Sequence, residues 1–574
     1  MADDRESTAG AERLVAGGAL LARLKVLGVD GIFAGVGTDY PPIIEGLLEA
    51  KARGIAVPEA LVVPYEHAAV AMAHGAHLAD GKTYGVLLHT NVGLANGVIG
   101  LINAATDNIP MIVMSGRTPI TEQGHLGSRD IPIGWGQEMR DQTGLVRDLV
   151  KWDYELRYPE QIPEVLDRAL AIANSTPKGP VYVSLPREVL CEAVSAEGLL
   201  APAGVRPVTV SAEPQSLTEI AGRLADAERP VIFAQRGAGS AAGFATLTKL
   251  VEDWAIPVVH YWADRVAIPS SHPMQAGESP EPWLSEADFV LVIDSLAPWS
   301  PKDGQPDPAC KVAHLGPDPL QSRTPIRGFR ADLSVVSEVG PGLVSLAKAM
   351  APKLAEKKGQ IETRRPLIKA RTDAIREQDL NAALEGKGVP INKAWVGHCI
   401  AEAIKEEEAT VVHELGCPLG ALDLKGHGAW YLEPLSGGLG WGLPAAMGLQ
   451  LAEPGRLVVA TLGDGSYLFA NPVACHQVME RYGLPVLTVI LNNAGWGTVQ
   501  QAVKSLFPEG HAAKANEMPL VGLSPSPDFV KVAEASRAYA ERVSDGAQLP
   551  DALARALAVV KEERRQALLE ITVA

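Results

Sequence analysis

Residues 456–498 read RLVVATLGDGSYLFANPVACHQVMERYGLPVLTVILNNAGWGT, and this stretch decides the fold. The run 457–462 is apolar, as expected of a strand buried on both faces of a parallel sheet. A helical segment and a second apolar run, 485–491, follow it. The two predicted strands end at GDG (463–465) and at the asparagine pair 492–493. An acid and an amide therefore meet at the carboxyl edge of a sheet, where open α/β sheets bind ligands.

The acid and the amide at this edge suit a magnesium ion. Mg²⁺ requires a near-octahedral set of oxygens and usually takes only one or two carboxylates, with phosphate oxygens completing the shell. Asp464, the side-chain oxygen of Asn493 and the main-chain carbonyl of Gly495 would supply protein ligands. The small residues that would let the backbone approach a diphosphate are Gly463, Gly465 and Ser466. The alternative is a tight turn after a strand, but GDG followed by a helix, a strand and NN is far more specific than GDG alone.

Length, charge and cysteine spacing exclude several classes of protein. The 574 residues are too many for one core, so three domains of about 150 to 200 residues are expected. The net charge of −17 disfavours nucleic acid and anionic membranes as partners. The sequence lacks an apolar run long enough to span a bilayer, and its polar start (MADDRESTAGAERL) is unlike a signal or transit peptide, which predicts a cytoplasmic protein. The five cysteines form no CxxC pair, which argues against a zinc site or a disulfide framework.

Strands and helices alternate along most of the chain in three blocks. This order predicts an α/β fold with three doubly wound parallel-sheet domains. The predicted domains span 1–200, 201–350 and 389–574, and the densely charged segment 351–388 is predicted to be a linker. The first and last domains are similar in size, so two related domains would be able to face each other across a cofactor.

The order GDG, helix, strand, NN resembles the signature of thiamine-diphosphate enzymes. The similarity covers nearly the whole chain and includes DLVKWDYEL (148–156), GPVYVSLP (179–186) and GGLGWGLPAAMGLQLAEPGRLVVATLGDGS (437–466). Within the superfamily of 2-oxo acid decarboxylases and acetolactate synthases, it is strongest with benzoylformate decarboxylases. The resemblance implies thiamine diphosphate and Mg²⁺ as cofactors, and a pyrimidine-binding, a central and a diphosphate-binding domain in that order. FAD, which some members carry, is not favoured, because GAGSAAG (237–243) does not complete a dinucleotide-binding loop.

Three residues correspond to those that handle the cofactor in this superfamily. Glu66 closes the predicted strand ALVVPYE and begins a helix. The family's glutamate donates to the aminopyrimidine ring from this position and helps to form the ylid. Leu439 corresponds to the apolar wedge that bends the cofactor, and the carbonyl of Gly437 corresponds to the acceptor of its amine. Without the resemblance, Glu66 would be a favourable carboxylate at a helix start, and Leu439 would be a packing residue.

Three further positions correspond to substrate-contacting residues of benzoylformate decarboxylases. His89 ends the strand in GVLLHT and precedes NVGLANG, and His272 lies in RVAIPSSHPMQAG; both would exchange protons with the substrate. Thr38, in FAGVGTDYPP, would hold the substrate carboxylate through its hydroxyl. Two features depart from this family. Asp39 would repel an anionic substrate, and the Gln-Glu pair 137–138 is similar to acetolactate synthases.

These features leave three functional hypotheses. The first is a 2-oxo acid decarboxylase that releases an aldehyde. The second is a carboligase or carbon–carbon lyase on the same cofactor, which residues 137–138 and the long spacing between Asp464 and Asn493 favour. The third is a cofactor-binding protein without turnover, against which the intact set of Glu66, Asp464 and Asn493 argues.

The resemblance also implies an oligomer. Glu66 and Asp464 lie in different predicted domains, and in this superfamily the site is built between such domains of two subunits. We therefore expect a homodimer or homotetramer with its sites at the subunit interface. Its substrate would be a small 2-oxo acid or aldehyde.

Overall fold

The computed structural model describes residues 13–196, 198–302 and 304–574. Within these ranges, three parallel sheets follow one another along the chain, which confirms the predicted α/β class. The chain divides into two compact units. One contains the described residues through Val208 together with Pro434–Pro454 and Ala470–Tyr482, and the other contains the remainder. No helix of the described ranges is both long and apolar enough to cross a membrane.

Short strands alternate with helices in the N-terminal region. The strands are β1 (Arg13–Val15), β2 (Gly31–Ala34), β3 (Glu59–Val62), β4 (Tyr84–Leu88), β5 (Met111–Arg117), β6 (Asp153–Glu155), β7 (Val181–Pro186) and β8 (Ala193–Ser195). The helices are α1 (Ala16–Val26), α2 (Pro41–Ala52), α3 (Glu66–Asp80), α4 (Thr90–Thr106), α5 (Ile133–Gly136), α6 (Ile162–Asn174) and α7 (Arg187–Cys191). The parallel sheet has the order β3-β2-β4-β5-β7-β6, and β1 pairs with β8 in antiparallel fashion. Since β4, β5 and β7 are buried along their whole length, both faces of this sheet are covered.

The central region repeats the same alternation. Its strands are β9 (Pro230–Ala234), β10 (Val258–Val259), β11 (Phe289–Ile293), β12 (Lys311–Gly316) and β13 (Leu333–Val336). They form a parallel sheet in the order β10-β9-β11-β12-β13. The helices are α8 (Pro214–Asp226), α9 (Ala241–Trp254), α10 (Glu281–Leu284), α11 (Val339–Met350) and α12 (Lys358–Glu385). Helix α12 therefore occupies most of the segment that was predicted as a charged linker.

The C-terminal region contains the stretch from which the fold was predicted. Its strands are β14 (Ala409–Glu414), β15 (Trp430–Leu432), β16 (Leu457–Gly463), β17 (Leu487–Asn492), β18 (Tyr539–Val543) and β19 (Ala567–Thr572), in the parallel order β15-β14-β16-β17-β19-β18. The helices are α13 (Lys393–Ile404), α14 (Gly442–Ala452), α15 (Asp464–Phe469), α16 (Pro472–Tyr482), α17 (Gly497–Leu506), α18 (His511–Lys514), α19 (Phe529–Glu534) and α20 (Leu549–Glu562). Strands β16 and β17 are neighbours, as the two apolar runs predicted.

The strand order of the two outer sheets brings polar residues to their carboxyl edges. In the C-terminal sheet, Gly463 pairs in register with Leu491, so the segments after β16 and β17 begin side by side. In the N-terminal sheet, β2 lies between β3 and β4, and the segments that follow these strands carry Asp39, Glu66 and His89. Each of these edges is the part of a parallel sheet at which ligands bind.

Helix α14 packs closely on helix α3 within the first compact unit. A Cβ atom at Gly75 of α3 would overlap the carbonyl of Ala445, and one at Gly448 of α14 would overlap the carbonyl of Met72. Glycine is therefore required at both positions because the two backbones touch. This contact ties the glycine-rich segment before α14 to the helix that begins at Glu66.

Candidate functional site

The predicted metal ligands converge on one backbone amide. Asp464 begins α15 directly after β16, and Asn493 follows β17. The amide of Gly495 donates to Asp464 Oδ2 and to Asn493 Oδ1, at 3.2 Å in each case. The amide of Gly465 donates to Asp464 Oδ1 at 2.9 Å. The carboxylate and the side-chain amide oxygen therefore lie side by side at the carboxyl edge of the C-terminal sheet.

The environment of this loop fits a cation and a phosphate. Asp464 is 3% exposed, and burial raises the pKa of its carboxyl, although backbone N–H donors oppose this effect. The hydroxyl of Ser466 is buried and has no hydrogen-bond partner among the described residues, so it is available to a phosphate oxygen. The described chain holds no group of three or more His, Cys, Asp or Glu that would bind a metal. A metal here would thus depend on Asp464, on amide and carbonyl oxygens and on the ligand's own phosphates.

Trp496 forms an apolar wall beside this loop. A Cβ atom at Gly465 would overlap the indole ring, so glycine is required for the ring to lie where it does. Phe469 meets the same ring edge to face, with 5.6 Å between ring centroids. Trp496 is half-buried at the edge of the loop.

A second polar group lies in the first compact unit, around Glu66. The carboxyl is half-buried at the start of α3, and the side-chain amide of Asn96 donates to its Oε2 at 2.6 Å. Gly93, in the first turn of α4, faces both functional side chains: its Cβ would lie 3.2 Å from Glu66 Oε1 and 3.4 Å from His89 Cβ. Glu66 and His89 are therefore neighbours on either side of this glycine.

His89 is held at both ring nitrogens. Nδ1 makes a very short contact with the carboxylate of Asp39, and the side-chain amide N–H of Gln137 donates to Nε2 at 3.1 Å. The hydrogen bond to Asp39 raises the pKa of His89, while partial burial of the ring opposes the rise. Asp39 was expected to repel an anionic substrate, whereas the structure pairs its charge with His89. Thr38, beside it, has an exposed side chain.

The segment that contains Gly437 and Leu439 is anchored on helices α3 and α4. Gly437 is exposed with φ 71°, and Leu439 is half-buried. Asn103 of α4 donates to the carbonyl of Gly438 at 2.9 Å, and the indole N–H of Trp441 donates to His74 of α3 at 3.1 Å. These hydrogen bonds fix the segment on both sides of Leu439, whose role as a wedge stays a prediction.

The contacts of His272 lie within the second compact unit. The amide of Met274 donates to its Nδ1 at 3.1 Å, and its Nε2 lies 3.0 Å from the carboxylate of Glu252 on α9. Arg365 of α12 pairs with the same carboxylate, and Arg376 donates to the carbonyl of His272. Both ring nitrogens are thus engaged by groups of the central region, and α12 holds Glu252 and the main chain of His272. These contacts favour a structural role, and the catalytic role of His272 stays a prediction.

Comparison with known protein families identifies the superfamily. The N-terminal thiamine pyrophosphate binding domain of thiamine pyrophosphate enzymes matches residues 15–145, the central domain matches 217–346 and the C-terminal thiamine pyrophosphate binding domain matches 415–571. The chain belongs to the thiamine pyrophosphate enzymes. This membership confirms the resemblance inferred from the GDG and NN motifs.

Relatives within the thiamine pyrophosphate enzymes include both synthases and decarboxylases. A probable acetolactate synthase large subunit of Methanocaldococcus jannaschii is 25% identical, over 94% of this chain and 89% of its own. A benzoylformate decarboxylase of Pseudomonas aeruginosa is 27% identical, over 76% of this chain and 79% of its own. A solved structure of a 4-hydroxybenzoylformate decarboxylase from Rhodococcus jostii shares the fold, with a TM-score of 0.77 at 23% identity, over 97% of this chain and 99% of its own. The protein is thus a thiamine pyrophosphate enzyme related to acetolactate synthases and benzoylformate decarboxylases.

The structure also explains a motif whose physical basis the sequence did not reveal. His89 is followed by a glycine and an asparagine, in the pattern HxxxGxxN. The glycine is Gly93, which makes room for Glu66 and His89, and the asparagine is Asn96, which binds Glu66. The sequence shows the spacing of the HxxxGxxN motif, but it does not show which side chains Gly93 and Asn96 contact. No sequence motif marked Gly116, Asn103 or His74, because their contacts are with residues far away in the sequence.

We expect the substitution His272→Ala to reduce stability more than turnover. Loss of its hydrogen bonds should lower the midpoint of thermal unfolding by about 2 to 4 °C and should change turnover less than tenfold. His89→Ala is the comparison variant and should lower turnover about 100-fold or more. A 100-fold loss of turnover in His272→Ala at unchanged thermal stability would instead support the catalytic role that the resemblance implies.

Proposed function

We propose that the protein is a lyase that depends on thiamine diphosphate and Mg²⁺ and decarboxylates a 2-oxo acid to an aldehyde. In the net reaction, the bond between the carboxylate carbon and the keto carbon breaks, carbon dioxide leaves and a proton takes its place. The observation that carries the proposal is the position of His89 beside Glu66 at the carboxyl edge of the N-terminal sheet. A decarboxylase that releases an aldehyde needs such a proton donor.

The C-terminal loop would hold the cofactor's diphosphate. Asp464, the side-chain oxygen of Asn493 and the carbonyl of Gly495 would bind Mg²⁺, and the unpartnered hydroxyl of Ser466 would donate to a phosphate oxygen. When bound, thiamine diphosphate supplies an acceptor for the electron pair of the broken carbon–carbon bond. The protein's own contribution is to bind, to orient and to move protons.

The first compact unit would contribute the proton-transfer groups. Because Asn96 donates to Oε2 of Glu66, Oε1 is the oxygen that would exchange a proton with the cofactor's aminopyrimidine. Leu439 and the carbonyl of Gly437 would support the pyrimidine from the anchored segment. The exposed hydroxyl of Thr38 would hold the substrate carboxylate.

A second candidate function is that of a carboligase or carbon–carbon lyase, as in acetolactate synthases. The observation that favours it is the contact between Gln137 and Nε2 of His89 at 3.1 Å. While the amide occupies this nitrogen, His89 has no path for delivering a proton to the substrate. A second aldehyde or acyl acceptor would then react in place of the proton and give a 2-hydroxy ketone.

The proposal includes an oligomer and a cytoplasmic location. Glu66 and Asp464 belong to different compact units of the chain. In the superfamily that the chain resembles, a site is completed between two subunits. A homodimer or a homotetramer is therefore proposed, and sedimentation of an active monomer would contradict it.

The experiment that tests the function is a measurement of carbon dioxide release. Protein stripped with a chelator is assayed with pyruvate, branched-chain 2-oxo acids, phenylpyruvate and benzoylformate, with and without thiamine diphosphate and Mg²⁺, and the organic products are identified in the same reactions. We expect release that requires both additions and that yields a free aldehyde. A cofactor-dependent hydroxy ketone would favour the carboligase, and an absence of cofactor dependence would contradict both functions.

A further inference from the structure

Asp39 is a buried carboxylate that the proposed mechanism does not yet use. It follows β2, is 4% exposed and directs Oδ1 at Nδ1 of His89. Its other oxygen, Oδ2, is buried and has no hydrogen-bond partner in the part of the chain that the structure describes. A buried carboxylate with one partner is costly unless that partner shares its charge or its proton. The contact with His89 is therefore the interaction that offsets the cost of burying the Asp39 carboxylate.

Two glycines make room for this pair. A Cβ atom at Gly37 would overlap the His89 ring, and a Cβ atom at Gly116, near the end of β5, would overlap Oδ2 of Asp39. Neither glycine has a positive φ, so the backbone itself does not require glycine at these positions. Glycine is required at these two positions because Asp39 and His89 lie too close to leave room for a side chain there.

The groups that act on His89 come from several elements. Asp39 lies on the segment after β2, and Glu66 begins α3; both are carboxylates and both favour a protonated ring. The phenol of Tyr40, next to Asp39, is buried, which raises the pKa of that phenol and keeps it neutral. Gln137 is also neutral, and its side-chain amide lies 3.1 Å from Nε2. Asp39 has the largest effect, because it is the group that hydrogen-bonds to the ring.

We propose that Asp39 is a positioning residue that holds the proton on Nδ1 of His89, so that Nε2 is the only ring atom that exchanges a proton with the substrate. This inference rests on the proposed function. In the decarboxylation, the Gln137 amide must first leave Nε2, because an amide N–H and Nε2–H are both donors. Nε2–H then gives its proton to the carbon that has lost carbon dioxide, and solvent returns a proton to Nε2. The Nδ1 proton stays between the ring and Asp39 throughout. In this arrangement the negative charge of Asp39 stabilises the protonated imidazole of His89, so it does not repel an anionic substrate as an unpaired charge would.

The proposal is tested by the titration of His89, which does not require turnover. The full-length protein is treated with diethyl pyrocarbonate, which acylates only the unprotonated ring, across a range of pH, and the modification of His89 is followed by peptide mass spectrometry. In Asp39→Asn the ring loses its neighbouring anion, so its protonated form is less favoured and its pKa falls. We expect the midpoint of modification to move to lower pH by about one unit or more.

Two further variants separate this effect from a loss of folding. Gly116→Ala should displace the Asp39 carboxylate without removing it, and it should move the midpoint in the same direction. Asp141→Asn is the control, because Asp141 pairs with Arg147 at the surface; it should leave the midpoint unchanged. An unchanged midpoint in both Asp39→Asn and Gly116→Ala would overturn the proposal.

The pH dependence of turnover gives a second readout. The limb of the kcat/KM profile that belongs to His89 should move to lower pH in Asp39→Asn, whereas a merely structural effect would lower the whole profile without moving it. A profile that falls without moving would argue against positioning. If no substrate is turned over, the modification experiment still decides the role of Asp39, so a failure of this inference is distinguishable from a failure of the proposed function.

Discussion

The variant Asp464→Asn is expected to bind Mg²⁺ and thiamine diphosphate at least about 100-fold more weakly than the unmodified protein. Asparagine keeps the shape of the side chain and accepts a hydrogen bond from the amide of Gly495, but it removes the negative charge. The negative charge of the carboxylate is what attracts a divalent cation. Asp464 is the single carboxylate among the proposed ligands, so no other protein group would compensate for its loss.

Binding is measured by titrating Mg²⁺ at fixed thiamine diphosphate, with the fluorescence of the nearby Trp496 as the signal. The matched control is Asp551→Asn. Asp551 also lies in the first turn of a helix, α20, but is exposed and outside the loop. We expect this control to bind like the unmodified protein. Unaltered Mg²⁺ affinity in Asp464→Asn would remove the metal site from the proposed function.

The variant Glu66→Gln is expected to have a kcat about 10²-fold to 10⁴-fold lower than that of the unmodified protein, while it still binds the cofactor. Glutamine has nearly the same shape and still accepts from Asn96, so the local structure should persist. An amide does not exchange a proton as a carboxyl does. The loss should therefore appear in kcat, with a change in cofactor affinity of less than about tenfold.

Turnover and cofactor binding are measured on the same preparation. Glu59→Gln is the control: Glu59 opens the strand β3 that leads to Glu66, and its side chain is exposed at the other end of that strand. It should have full activity. If Glu66→Gln turned over at the unmodified rate, proton exchange by Glu66 would be ruled out, even with the metal site intact.

The parallel sheets, and the position of the loop proposed to bind Mg²⁺ at a sheet edge, were predictable because their signals are local. An apolar run such as residues 457–462 specifies a buried strand, and the residues that end it lie at its carboxyl edge whatever the rest of the chain does. For this reason the neighbourhood of Asp464 and Asn493 agrees with its prediction. The roles of Gly437 and Leu439 stay predictions; the structure shows only that Gly437 is exposed and that the neighbouring Gly438 is hydrogen-bonded to Asn103.

The side-chain contacts of single polar residues were not predictable from the sequence. His272 is engaged at both ring nitrogens by Met274 and Glu252, contacts that the sequence did not reveal, and its role at the substrate stays a prediction. Asp39 was interpreted as an isolated charge, because its partner is 50 positions away. The Gln-Glu pair 137–138 was noted for its similarity to the synthases, without any indication that Gln137 contacts His89.

The sequence by itself determined the class of fold, the superfamily and the loop that would carry the metal, since each depends on residues close together in the chain. Only the tertiary structure decided which side chains meet. Asp39, His89 and Gln137 are brought together by the pairing of β2 with β4 and by the segment that follows α5. Gly116 and Gly37 matter only because their missing side chains admit that cluster. Contacts of this kind depend on the packing of distant segments, and a single sequence holds no local signal for them.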